Sequence, residues 1–242
     1  MKVNKLLLLS GQDVPFPGAH VNIHQPKASE IALIGEETFF RGLKVLLFSK
    51  NDLEEKDKSA LAQYSDFNIF MSIINDKNSA SIKADLLMVL TLMFPDIKFK
   101  INIDKILLQL ENFESSINEQ NIDEFKDIIC QMFCLDSVNS QYNPASGISA
   151  KIAEKFNQRH IKLAKQRGED VKEINIINRY VSVLSIGLQI DINKIMNYTY
   201  YQLIDAFKRY QSKISYDLTI QAKMAGATGL EEVENWMDEL HS

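Results

Sequence analysis

The apolar positions change period along the chain, and that change divides it into two halves. In the first quarter, Val3 to Leu9 and His20 to His24 read as short strands, with Asp13-Val-Pro-Phe-Pro-Gly18 as the turn between them. Pro26 stops the second strand. From Ala28 to Phe48 the pattern becomes helical, with Ile31, Ile34, Phe39 and Leu43 at spacings near three to five. Gly35 and Gly42 weaken that helix, so a break is expected near one or the other. Further helices are predicted at Leu53–Gln63, Phe67–Asn75 and Ser81–Phe94, the last ended by Pro95. Phe99 to Ile103 and Ile106 to Phe113 read as strands, the second turning towards Ser116-Ile117.

Helical periodicity dominates the rest. Asn121 and Glu124 have capping-box spacing, which predicts a helix from there to about Leu135. The next helix is expected from Pro144 to about Arg167, with Gly168 as its left-handed cap, and another at Ile174–Leu188. Thr199-Tyr-Tyr-Gln202 is a second capping box. It opens the longest predicted helix, Tyr200 to Ala225, whose apolar stripe is Leu203, Ile204, Phe207, Tyr210, Ile214, Leu218, Ala222 and Ala225. Gly226 can end it, and Thr228-Gly-Leu-Glu231 caps a short last helix carrying Trp236. The expected fold is mainly α (α+β), with a small N-terminal β element packed on helices and a C-terminal helical bundle. The expected division is an α+β region over 1–136 and a helical region over 145–242, with one continuous domain as the alternative.

Composition narrows the class. The 242 residues are 45% hydrophobic and 24% charged, as in ordinary globular proteins, and 9 Gly with 5 Pro favour long helices. The net charge of -5 gives no general attraction to nucleic acid or anionic membrane. Acidity is concentrated in residues 111–150, where Lys126 faces seven acids, and this stretch with Ser137–Pro144 suggests a hinge. The apolar run Leu6–Leu9 is too short for a secretion signal, and Leu86–Phe94 too short to span a bilayer. Two cysteines cannot frame a small secreted scaffold, so a reducing cytoplasm is expected.

Candidate chemistry is sparse. Cys130 and Cys134 lie four apart on a predicted helix, sharing a face, but no second pair completes a zinc site and their neighbours are apolar. Core packing is the expectation, with no metal. His20, Asn22 and His24 would line one strand face, read as a polar outer face over Val21 and Ile23. The basic run Lys151, Lys155, Arg159, Lys162, Lys165 and Arg167 lacks interleaved aromatic residues, so nucleic-acid binding is not expected. No phosphate loop, dinucleotide fingerprint or nucleophile elbow is present. The acidic pairs Glu36-Glu37, Glu54-Glu55 and Glu231-Glu232 point about 100° apart on helices and do not converge. No catalytic residue and no cofactor are assigned. The aromatic C-terminal half, with Tyr198, Tyr200, Tyr201, Tyr216 and eight methionines in the whole chain, suits core filling or a partner surface. The candidate interface is Leu203, Phe207, Tyr210, Ile214 and Trp236.

Three stretches carry a resemblance. They are His20-Val-Asn-Ile-His-Gln-Pro26 leading into Glu30–Phe40, then Phe67-Asn-Ile-Phe-Met-Ser-Ile-Ile74, then Tyr200–Phe207 running through Gln221–Gly226 to Asn235-Trp-Met237. Together they resemble tail-morphogenesis proteins of long-tailed phages and prophages of Gram-positive hosts, most like a tail assembly chaperone. The resemblance implies a non-enzymatic protein of the host cytoplasm that covers the apolar stripe of the tape-measure protein by helix-in-groove contacts. Its implied partners are the tape-measure or other tail proteins, with homo-oligomers allowed and no membrane. The alternative it leaves is a structural virion component: a tail, baseplate or connector subunit. An enzyme with a scattered site, or a nucleic-acid accessory using the 151–167 helix, ranks below both.

Overall fold

A computed structural model describes residues 2–50, 61–111, 113–135, 176–227 and 237. Its first element is helix α1 (Lys5–Ser10), where a strand over Val3–Leu9 was expected. The Asn4 side chain accepts from the Leu6 amide at 2.9 Å, and Gly11 at φ 72° closes the other end. Four consecutive leucines carry no period of their own, so these two caps decide the conformation. The helix's last carbonyls are satisfied from afar: Gln25 Nε2 donates to Leu7 O at 3.3 Å and Gln202 Nε2 to Leu9 O at 2.8 Å.

Strands β1 (Val14–Phe16) and β2 (Val21–Ile23) form an antiparallel hairpin in the register Val14–Ile23, Pro15–Asn22 and Phe16–Val21. β1 lies inside the expected turn, because a 3-10 turn at Pro17–Ala19 with His20 at φ 53° makes the reversal instead. Pro15 is tolerated since β1 pairs on one side only. Val14, Phe16, Val21 and Ile23 face inward.

The long helix expected from Ala28 to Phe48 breaks at Gly35 (φ 86°) into α2 (Ala28–Ile34) and α3 (Glu36–Leu46). Gly42 does not break it. Helix α4 (Asp66–Asn75) starts at Ser65, whose hydroxyl accepts from the Asn68 amide at 3.2 Å. Helix α5 (Ala80–Met93) ends just before Pro95 and packs along α3, with Arg41 bonded to both carboxylate oxygens of Asp85. Leu61–Gln63, the described end of the helix expected over Leu53–Gln63, form a turn.

Strands β3 (Lys98–Ile101), β4 (Ile106–Gln109) and β5 (Glu114–Ile117) make an antiparallel sheet in that order. The strand expected over Ile106–Phe113 is therefore shorter, and Glu114–Ile117 is a separate strand paired back onto it. Ile106, Leu107 and Leu108 of the central strand are buried.

Helix α6 (Ile122–Met132) forms, but its capping box does not. Asn121 Oδ1 accepts from the Asn118 amide at 2.8 Å, and its Nδ2 donates to Gly18 O at 2.8 Å and Ser116 O at 2.9 Å. Glu124 Oε2 accepts from the Gly18 amide at 3.0 Å. The two residues tie the hairpin turn to the sheet and helix instead of capping each other. Asn121 is buried, so Asn121→Ala is expected to lower stability by about 2 kcal/mol, read from urea unfolding, because Gly18 and Ser116 lose their donor.

Helices α7 (Ile176–Leu188), α8 (Ile192–Met196) and α9 (Tyr200–Met224) follow. The protein is thus mainly α with some β, as its periodicity predicts. The chain divides into two compact units: Met1–Asn139 with Met196–Gln202, and Ser140–Ile195 with Leu203–Ser242. The first unit has an aromatic core in which Phe125 meets Phe16 and Phe94 (centroids 5.2 and 6.0 Å), while Phe133 meets Phe39 at 5.3 Å. The helices expected from Pro144 to Arg167 and over Thr228–Trp236 lie outside the described residues.

Candidate functional site

The start of α9 is built as its sequence predicts. The Thr199 amide donates to Gln202 Oε1 at 2.8 Å, and the Gln202 amide to Thr199 Oγ1 at 3.3 Å, which completes the capping box. Within the first unit, the Ala28 amide donates to Tyr198 O at 2.9 Å and the Tyr200 amide to Pro26 O at 3.1 Å. Tyr200 is buried between the rings of Phe40 and Phe133, with centroids at 6.0 and 5.5 Å.

Burial then falls along the apolar stripe of α9. In the second unit, Leu203 and Ile204 are buried. Phe207 is half-buried and stacks on Tyr180 of α7, with centroids 4.0 Å apart. Tyr210 is half-buried and its hydroxyl occupies the space above Gly187 where a Cβ would stand. One turn later Ile214 is 39% exposed, and Leu218 is 59% exposed. At 100° per residue these side chains stay on one arc of the helix, so the same stripe that begins as core ends facing outward. Gly226 at φ 88° closes the helix, with the Ala227 amide donating to Ala222 O at 3.0 Å. Of the five candidate interface residues, the structure places Leu203, Phe207, Tyr210 and Ile214 on this arc, and Trp236 lies outside the described residues.

The remaining candidate chemistry does not converge. Cys130 is buried in α6; burial pushes its thiol up, Asp127 adds to the shift and Lys126 opposes it. A thiol held protonated is a poor nucleophile. Cys134 sits beyond the helix end at φ 50°, so the two cysteines do not share the helical face expected of them. His20 lies in the turn rather than on a strand, which dissolves the expected face of His20, Asn22 and His24. His24 does have acidic neighbours that the sequence does not reveal: Asp13 Oδ1 lies 3.0 Å from Nδ1 and Glu30 Oε2 lies 3.1 Å from Nε2. These oxygens sit on opposite sides of the ring. Among the described residues, no group of three His, Cys, Asp or Glu could hold a metal ion. Glu37 is spent on Arg41, at 2.8 Å. The Lys151–Arg167 run and the pairs Glu54-Glu55 and Glu231-Glu232 lie outside the described residues. Among the described residues, no helix is long and apolar enough to cross a membrane.

Residues 169–241 match a family model described as YomV second domain, a phage-associated family. The match covers α7, α8 and the whole of α9. No curated protein and no solved structure gives a significant match.

Proposed function

We propose that this chain is a non-enzymatic phage tail assembly protein, acting in the host cytoplasm to shield the apolar helical stripe of the tape-measure protein until the tube forms around it. The observation that carries this reading is the outward half of the α9 stripe. Ile214 and Leu218, one turn apart, expose apolar surface on a helix within the segment related to a phage-associated family. Such a row fits alongside the apolar stripe of a partner helix, and covering that stripe suppresses the partner's self-association.

The test compares purified particles with infected-cell lysate by mass spectrometry, followed by capture of the tape-measure protein on this chain. Abundance in lysate with absence from particles, and capture of the tape-measure protein, support the proposal. Stoichiometric presence in particles replaces it with a structural tail component. The double variant Ile214→Ala with Leu218→Ala is expected to change unfolding stability by less than about 0.5 kcal/mol per site, since both side chains are exposed. Capture by that variant is expected to fall at least about tenfold, the equivalent of 1.4 kcal/mol in binding. Leu203→Ala, at a buried position, lowers stability instead and serves as the control for a core residue.

A further inference from the structure

The two edges of the β3–β4–β5 sheet are not alike. Along an antiparallel ladder, residue pairs that exchange hydrogen bonds alternate with pairs that do not. The Leu110 amide donates to Phe113 O at 2.9 Å, so Leu108–Ser115 and Ile106–Ile117 are the bonded pairs and Ser116 turns its carbonyl outward. That edge is occupied. Ser116 O accepts Asn121 Nδ2 at 2.9 Å, and the hairpin turn lies alongside, where Ala19 O accepts the Ser115 hydroxyl at 2.6 Å. On the other side the Asn102 amide donates to Lys105 O at 2.9 Å, which makes Lys100–Leu107 and Lys98–Gln109 the bonded pairs. The amides and carbonyls of Phe99 and Ile101 therefore point away from β4, and among the described residues no strand lies beyond β3.

Side chains divide by the same alternation. Phe99 and Ile101 are half-buried on the inner face, where the Phe99 and Phe94 ring centroids lie 5.9 Å apart. Lys98 and Lys100 are exposed on the outer face, and among the described residues neither forms an ion pair. We propose that β3 is a docking edge for an extended, acidic peptide segment of a partner protein, which adds antiparallel to it as a fourth strand. The segment's backbone satisfies the four outward groups of Phe99 and Ile101. Opposite Lys98 and Lys100 the new pairs are of the non-bonded kind, whose side chains approach closest, so carboxylates placed there gain most. The residues between them meet Phe99 and Ile101 on the apolar inner face. The sequence that fits is an alternation of acidic and apolar residues. Asp96, just before the strand, confines the charge match to the two lysines. A second copy of this chain is a poor occupant. The register that uses all four outward groups of both strands pairs Phe99 with Ile101 and sets Lys100 against its own counterpart. This edge is separate from the α9 stripe, and the proposal stands whether or not that stripe binds the tape-measure protein.

The test titrates the full chain with a short, end-capped peptide alternating Glu and Val, and with the same peptide carrying Gln for Glu. NMR follows amide shifts and hydrogen exchange. At saturating Glu peptide, exchange at the Phe99 and Ile101 amides is expected to slow at least about tenfold, while the Lys98 and Lys100 amides, already bonded to β4, change little. The Glu peptide is expected to bind roughly three- to tenfold tighter than the Gln peptide, from two cross-strand charge pairs, and the margin narrows in high salt. Lys98→Glu with Lys100→Glu, at exposed positions, is expected to retain the circular dichroism of the wild type and to reverse the order, so that a peptide alternating Lys and Val binds better than the Glu peptide. Absence of binding by the Glu peptide overturns the proposal, as does equal affinity for the Glu and Gln peptides, or binding that leaves the Phe99 and Ile101 amides exchanging as before. Protection of those amides that rises with the concentration of the free chain overturns it in favour of self-pairing.

Discussion

Gly42→Ala is expected to lower the unfolding free energy by about 2–3 kcal/mol, although the same exchange inside an open helix stabilises by about 1 kcal/mol. Gly42 lies in the middle of α3, buried against α5. A Cβ added there falls on the carbonyl oxygen of Asp85, with Val89 Cγ2 at 2.6 Å and the Asp85 carbonyl carbon at 2.9 Å. Two of those three atoms are backbone and cannot rotate away. The helices must separate, and the buried contacts of Leu43, Leu46, Val89 and Leu90 stretch with them. Loss of packing along that seam exceeds the gain in helix propensity. Urea unfolding followed by far-UV circular dichroism reads the difference as a lower midpoint at unchanged slope. A midpoint equal to or above the wild type would show that α3 and α5 do not meet so closely.

Phe125→Ala carries the larger cost, about 4 kcal/mol. The ring is fully buried and touches Phe16 of the hairpin and Phe94 at the end of α5, so one side chain joins three elements. Truncation removes the transfer free energy of the ring and leaves a cavity walled by two other aromatic rings, which close over it only partly. Phe125→Leu keeps most of the volume and is expected to cost less than about 1.5 kcal/mol. The same unfolding experiment separates the two. Similar losses for both variants would mean that the site tolerates a void and that the aromatic cluster is not tightly packed.

How much of this could be read beforehand depended on where each residue's partner lies in the chain. Thr199, Gln202 and Gly226 act on backbone within a turn or two, so the ends of α9 were legible from sequence. The same holds for α5, ended by Pro95, whereas the Ser65 cap of α4 is seen only in the structure. Asn121 and Glu124 show the limit. Their spacing is that of a capping box, yet Gly18, more than a hundred residues earlier, offers both a carbonyl and an amide and takes them instead. Leu6–Leu9 has no period to separate strand from helix, and its helix is held by Gln25 and Gln202 from distant positions. The two glycines of the first long helix divide for opposite reasons. Gly35 has room for a side chain but adopts a backbone angle that disfavours one, while Gly42 has no room at all. The candidate stripe was legible as a stripe. Its change from core to surface past Tyr210 was not, because periodicity gives the direction of a side chain but not what stands opposite it.

The seating of Met196–Gln202 in the first unit has a consequence for synthesis on the ribosome. Buried Thr199 and Tyr200 belong to a unit whose other members end at Asn139. That unit is not complete when its own main segment has emerged. It must wait for the polypeptide to reach Gln202, a delay of several seconds at about 5–20 residues per second. Through that interval the pocket that receives Tyr200 stays open to solvent, with Phe40 and Phe133 uncovered, on a nascent chain.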